Sequence, residues 1–182
     1  MSDITTTPCS DCAGACCDTL AITVNLVDVA RIVRALHIPV HELLARYVDE
    51  DPREKPYVFW IRKQPIALAL SPPGDKNCGC PFLMKVGDEA RCGIYDFRPG
   101  TCRVYPFSRQ KSRVYHKRTA ICPARFKVDP SDEIIHRMID DYQRDWDVQA
   151  GFCEEWNTDP PRHPSFDKLL DFVDDALRDG RV

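Results

Sequence analysis

The sequence lacks a long hydrophobic run. Its longest uninterrupted apolar stretch, Pro65 to Leu70, has six residues, whereas a membrane-spanning helix needs about 20. The opening residues contain neither the basic segment nor the apolar segment that directs a chain to secretion. These absences predict a soluble, cytoplasmic protein without a membrane partner.

A concentrated positive charge is also missing. The net charge is −3, and the 25 lysines and arginines are spread along the chain. Nucleic-acid binding normally requires a cluster of basic residues. We therefore expect no nucleic-acid partner, and the sequence does not indicate a protein partner.

The motifs of the common enzyme classes do not occur. The eight glycines form no G-x-G-x-x-G loop, and there is no phosphate-binding loop, nucleophile elbow or H-E-x-x-H segment. His116 is the only histidine within the cysteine-rich stretch, and a lone histidine on a strand is more often a packing residue than a ligand. No catalytic residue and no organic cofactor site is predicted, and whether the chain is an enzyme stays open.

Cysteine, in contrast, is abundant: the chain has ten. Four of them open the sequence in a C-x2-C-x3-C-C arrangement, and a second group follows after about sixty residues of ordinary globular sequence. The first group is Cys9, Cys12, Cys16 and Cys17, and the second is Cys80, Cys92, Cys102 and Cys122.

Two explanations compete for these cysteines. A disulfide framework is typical of short secreted chains that cannot form a core, whereas 182 residues, 43% of them hydrophobic, suffice for an apolar interior. A C-x2-C turn directs two thiolates at one ion, as in zinc and iron–sulfur sites. Metal binding is therefore favoured over disulfides.

The adjacent pair Cys16–Cys17 bears on the kind of centre. Neighbouring side chains point in different directions in a strand or a helix, so the pair is expected to serve two centres or one polynuclear centre. Eight cysteines suffice for two four-sulfur sites. This favours an iron–sulfur cluster over zinc, and zinc stays the alternative.

Hydrophobic periodicity predicts an α+β fold: a small single domain organised around cysteine-bearing loops, with helices at the C-terminus. The division expected is a metal-binding domain at 1–128 and a helical extension at 129–182 that packs on it. The predicted helices are Val27–Leu36, His41–Val48, one that begins at Asp129–Asp132 and one that begins after Ser165. The predicted strands are Leu20–Leu26, Tyr57–Arg62, Ile66–Leu70, Val104–Phe107 and Arg113–Arg118.

Several phrases together resemble the YkgJ family of cysteine-cluster proteins, which carry a zinc- or iron-chelating domain. They span roughly residues 9 to 126: the first cysteine group, Cys80-Pro81-Phe82-Leu83, Cys92-Gly93-Ile94-Tyr95, Arg98-Pro99, Cys102-Arg103, Tyr105-Pro106-Phe107 and Cys122-Pro123. Val27–Arg31 is similar to the short helix that members carry after the first knuckle. The spacing and the resemblance together imply that all eight of these cysteines are metal ligands.

The resemblance does not identify a biological task. The sequence favours a non-enzymatic metal-binding module, with a thiol redox sensor, or an enzyme related to the cysteine-cluster lysine N-methylases, as alternatives. Arg98 and Arg103 flank Cys102 and are expected to donate to the sulfurs, or to the loops that carry them, in a negatively charged four-thiolate site, with surface salt bridges as the alternative. Cys78 could replace a missing ligand, and Cys153 is expected just past a helix as an inert or surface thiol.

Overall fold

The computed structural model describes residues 14–49, 56–72, 78–87, 89–122 and 128–182. The predicted ligands Cys9 and Cys12 lie outside the described residues. The helices are α1 (Ala15–Thr19), α2 (Leu26–Leu36), α3 (Val40–Leu43), α4 (Gly100–Val104), α5 (Glu133–Thr158) and α6 (Phe166–Arg178), with a short 3-10 helix at Tyr95–Phe97. The strands are β1 (Leu44–Val48), β2 (Phe59–Ile61), β3 (Gln64–Leu70), β4 (Leu83–Val86), β5 (Glu89–Cys92), β6 (Phe107–Gln110) and β7 (Arg113–His116).

The strands of the described residues form one three-stranded antiparallel sheet, in the order β1-β3-β2, and two separate hairpins, β4–β5 and β6–β7. Strands β2 and β3 join through Arg62 and Lys63, both with positive φ, which confirms the predicted hairpin. The segment expected as a strand at Leu20–Leu26 is extended but joins β3 only through a bridge between Thr23 and Ala69. The α+β class is confirmed.

Two predicted elements are wrong. The helix expected at His41–Val48 ends at Leu43, because the next five residues pair antiparallel with β3, from Leu44 opposite Leu70 to Val48 opposite Ile66. Pairing with β1 satisfies the backbone hydrogen bonds of the buried strand β3, and this stabilisation outweighs the helical tendency of the segment after Leu43. The strand expected at Val104–Phe107 begins only at Phe107, since α4 extends to Val104 and Pro106 has no N–H for a ladder.

The C-terminal helices form as expected, with different boundaries for the first. The N-cap of α5 is Asp132, whose carboxylate accepts hydrogen bonds from the backbone N–H of Ile134 and Ile135 at 2.9 and 3.1 Å. Ser165 caps α6 as predicted. Because α5 continues to Thr158, Cys153 lies inside this helix and is 1% exposed, so its expected place beyond a helix is wrong.

Polar contacts join α5 to the rest of the domain. The side-chain oxygen of the fully buried Gln149 accepts a hydrogen bond from the backbone N–H of Leu26 at 3.1 Å. The side-chain oxygen of Asn157 accepts a hydrogen bond from the Trp60 N–H of β2, and its side-chain nitrogen donates one to the carbonyl of Val58, just before β2. The boundary at residue 128 stays a prediction, but the helices that follow pack directly on α2 and the three-stranded sheet.

Among the described residues, no helix is long and apolar enough to cross a bilayer.

Candidate metal centre

Six of the eight predicted ligands line one small cavity. Its volume is about 100 Å³, well below the roughly 300–1,000 Å³ of small-molecule sites. It suits an ion or a compact cluster. The cysteines on its lining are Cys16, Cys17, Cys80, Cys92, Cys102 and Cys122.

Backbone contacts bring the first cysteine group to the second. The N–H of Cys80 donates to the carbonyl of Cys17 at 2.7 Å, and the N–H of Gly79 donates to the carbonyl of Leu20 at 3.1 Å. Helix α1, which carries Cys16 and Cys17, is therefore held against the loop that carries Cys80.

Gly14 allows the same helix to approach the β4–β5 hairpin. Its φ is +73°, and a Cβ placed there would lie 2.8 Å from Cδ1 of Leu83 and 3.0 Å from Cβ of Ala90. Any other residue would be strained at this φ and would collide with the hairpin. Since Cys92 ends β5 opposite Leu83, Gly14 controls the distance between α1 and Cys92.

The remaining ligands come from α4 and from the segment after β7. Cys102 lies on α4, which begins after Pro99. The hydroxyl oxygen of Tyr105 accepts hydrogen bonds from the backbone N–H groups of Ile121 (2.6 Å) and Cys122 (3.3 Å). Tyr105 therefore ties the Cys122 segment to the C-terminal end of α4.

The adjacent cysteines do not point apart. The Sγ atoms of Cys16 and Cys17 are 3.9 Å apart, and both residues line the cavity, so the expected divergence is wrong in this structure. The hydrogen bond between the thiols lowers the pKa of Cys16 to about 6 and raises that of Cys17 far above its usual range. Ionisation of one thiol therefore disfavours ionisation of the other.

The other thiols also resist ionisation. Burial raises the pKa of Cys80 to about 11, with a further contribution from the charge of Cys92. Burial likewise raises the pKa of Cys92 and, more strongly, that of Cys102. The negative charges of Cys80, Cys92 and Cys16 raise the pKa of Cys102 further. Thiolates gathered this closely repel one another, and a bound cation would relieve the repulsion.

One of the two predicted arginines faces the sulfurs. Arg98 lines the cavity, its guanidinium lies 4.3 Å from the centre of the Tyr95 ring, and its charge lowers the pKa of Cys16, Cys92 and Cys102. Arg103 instead approaches Asp145 of α5 at 3.8 Å. This ion pair corresponds to the salt bridging that the sequence left as the alternative for these arginines.

In the part of the chain that the structure describes, no three histidine, cysteine or acidic side chains converge closely enough to coordinate an ion. The donor set nevertheless fits a thiophilic metal, because α1, β5, α4 and two loops all place cysteines on the lining of one small cavity. None of the eight cysteines within the described residues forms a disulfide. Cys78 is not on the cavity lining.

Sequence reasoning missed a buried aspartate that positions Cys102. Asp28 of α2 is 0% exposed, and its Oδ1 accepts hydrogen bonds from Arg31 and, at 2.9 Å, from the backbone N–H of Gly100. Gly100 is the first residue of α4, which carries Cys102. Burial raises the pKa of Asp28. The available signal was a carboxylate within the apolar stretch Val27–Ala30.

We expect Asp28→Ala to destabilise the protein by about 3–5 kcal/mol, since it leaves the partly buried Arg31 guanidinium without its carboxylate and the Gly100 N–H without its acceptor. It should also weaken metal binding, because α4 loses its attachment to α2. Asp28→Asn, which keeps an acceptor oxygen, should lose less stability and less metal binding than Asp28→Ala. Urea unfolding and elemental analysis check this.

Asp18→Ala is the matched control. Asp18 also lies near the cysteines, but its ion pair with Lys85, at 3.1 Å, is exposed and should contribute at most about 1 kcal/mol. If Asp28→Ala and Asp18→Ala had equal unfolding free energies and metal contents, the role given to Asp28 would be refuted.

A family model matches the cysteine-bearing part of the chain. The model, CxxCxxCC, described as a "putative zinc- or iron-chelating domain", matches residues 8–124. The chain belongs to this family. The match begins just before Cys9 and ends just after Cys122, so it includes both cysteine groups, and the description of the family supports metal binding in general. No curated protein and no solved structure matches the chain.

Proposed function

We propose that the chain binds iron or zinc through the two cysteine groups acting together, and that its function depends on the resulting metal centre. The proposed ligands are Cys9, Cys12, Cys16, Cys17, Cys80, Cys92, Cys102 and Cys122. The single observation that carries the proposal is the cavity of about 100 Å³ on which six of these eight cysteines meet.

The electrostatics of the cavity support a cation there. Five thiols influence one another's pKa, and four of them are harder to ionise than an ordinary cysteine. A cluster of this kind can be fully deprotonated at neutral pH only when a positive charge compensates it. Arg98 contributes one positive charge, and a metal would contribute the rest.

Among the candidate metals we favour an iron–sulfur cluster. Cys16 and Cys17, with sulfurs 3.9 Å apart, reach the cavity from adjacent positions, which suits a polynuclear centre whose metal atoms accept neighbouring ligands. A mononuclear zinc site needs four ligands in tetrahedral positions, fewer than the cavity offers. The donors are all sulfur, which either metal accepts.

The role we infer is that of a non-enzymatic metal-binding module, with residues 129–182 as a helical extension supporting the metal-binding part at 1–128. The contacts of α5 with α2 and with β2 support this arrangement. Cysteines without disulfides fit a reducing compartment such as the cytoplasm.

Protein purified without oxygen from iron-replete cells should therefore be coloured. Sulfide-to-iron charge transfer should give broad visible absorption, with iron and acid-labile sulfide in comparable amounts. A colourless protein with stoichiometric zinc would contradict the iron–sulfur assignment while retaining thiolate metal binding. Absorption spectra of the Cys78→Ser variant, whose cysteine is off the cavity, should equal those of the unsubstituted protein.

A further inference from the structure

A second, larger cavity lies beside the cysteine cavity. Four aromatic residues define this aromatic cleft: Tyr47 of β1, Tyr57 just before β2, and Tyr142 and Trp146 of α5. Its volume is about 490 Å³, within the range of small-molecule sites. Metal binding by the cysteines gives this cleft no task.

We propose that the aromatic cleft binds a compact organic ammonium ion. The faces of tyrosine and tryptophan rings are electron-rich and attract a cation that lies over them, and tryptophan does so most strongly. A trimethylammonium group has a rounded, weakly hydrated surface that several such faces can contact at once. The proposal is separate from the metal-binding function and does not depend on it.

The orientation of the rings favours a rounded occupant over a flat one. The Tyr57 and Trp146 ring centres are 5.4 Å apart with planes inclined by 57°, and those of Tyr142 and Trp146 are 6.1 Å apart with planes inclined by 77°. A planar aromatic ligand is best held between parallel faces. Trp146 packs tilted or edge-on against both tyrosines at these distances, so no flat ligand fits between the rings, and a cation would lie over the ring faces that remain open to the cleft.

The charges on the lining agree with a cationic ligand. Within the described residues, no lysine or arginine lines the cleft, and Asp49 is its one acidic residue. Asp49 also interacts with other groups of the protein, so the aromatic faces carry the proposed recognition.

The cleft adjoins the metal cavity. Leu20 and Ala21 line both, and the hydroxyl of Thr101, on the metal cavity, donates to the hydroxyl of Tyr142, in the cleft, at 3.5 Å. A ligand in the cleft would therefore lie one residue layer from the cysteines.

Calorimetric titration of the full chain with choline tests the proposal. Choline is compared with 3,3-dimethylbutan-1-ol, which has the same shape but carries no charge. We expect saturable choline binding and at least about tenfold weaker binding of the neutral analogue, since only the cation gains the ring attraction. Equal binding of the two compounds, or no saturation at millimolar choline, would overturn the proposal.

Variants place the binding in the cleft. Trp146→Leu should weaken choline binding by about tenfold or more. Tyr47→Leu, at a residue 38% exposed whose change should leave folding intact, should weaken it as well. The control Trp60→Leu removes a tryptophan that is 42% exposed and off the cleft, and should bind choline normally. Unchanged binding by both cleft variants, or an equal loss in the control, would refute the site.

Discussion

The Cys16→Ser and Cys17→Ser variants are expected to lose the same metal signal, completely and to the same extent. Their sulfurs are 3.9 Å apart and line one cavity, so a centre that uses one has the other beside it. Losing a thiolate ligand should also lower the free energy of unfolding by several kcal/mol, because metal binding is coupled to folding. Metal analysis and thermal unfolding of both variants measure these effects.

Two other cysteines serve as controls for this prediction. Cys78→Ser should keep both metal and stability, since Cys78 is partly exposed and off the cavity. Cys153→Ser should keep the metal but lose about 1–3 kcal/mol, because it buries a hydroxyl within α5 at a site 1% exposed. If Cys16→Ser and Cys17→Ser each removed a different part of the signal, two separate centres would replace the single one proposed.

Removing the metal should loosen the cysteine-bearing segments without unfolding the whole domain. The core around Phe59, Ile66 and Leu68 shares Ile22, Cys80 and Ile94 with the cavity lining, but most of its buried residues lie off the cavity, so it should keep its helices and sheet. The free energy of unfolding should nevertheless fall by several kcal/mol, less than the roughly 10–16 kcal/mol of a zinc-finger peptide that folds only with metal. Circular dichroism with and without a chelator, during urea unfolding, measures both.

Metal affinity should also rise with pH. The pKa of Cys80 is about 11 and that of Cys102 lies higher, so both thiols are protonated at neutral pH in the metal-free protein. They must release their protons to bind metal, and each proton released raises the affinity by about tenfold per pH unit. Competition titrations at two pH values check the slope. Unchanged stability after chelation, or affinity independent of pH, would contradict thiolate ligation.

The elements predicted correctly are those whose local pattern and tertiary environment agree. Helix α2 has Asn25 as its cap and an apolar face with Val29 and Ile32 buried, and α6 has Ser165 and a regular apolar stripe. Where the local pattern and the tertiary environment conflict, the prediction from the pattern was wrong. The segment after Leu43 has a helical pattern, but it pairs with β3 as a strand. The β4–β5 hairpin was missed because its exposed residues, such as Met84 and Val86, give no alternating burial.

The cysteine spacing predicted that the two cysteine groups act together, and six of the eight cysteines line one cavity, but the spacing did not predict their geometry. That Cys16 and Cys17 face one cavity follows from the orientation of α1, which depends on Gly14 and on the hydrogen bond from Cys80 to Cys17. The role of Asp28 depends on the contact of α2 with α4, and the aromatic cleft depends on the position of α5 beside β1 and the segment before β2. Such contacts leave no periodic signal along the chain.

Elemental analysis of the protein purified without oxygen tests the central claim most directly, when it is combined with mass spectrometry of cysteine alkylation. We predict at least about one iron or zinc per chain, with Cys16, Cys17, Cys80 and Cys102 protected from alkylation until a chelator is added, and Cys78 modified throughout. Less than about one metal per chain, together with equal alkylation of the cavity cysteines before and after chelation, would contradict metal binding by this cluster.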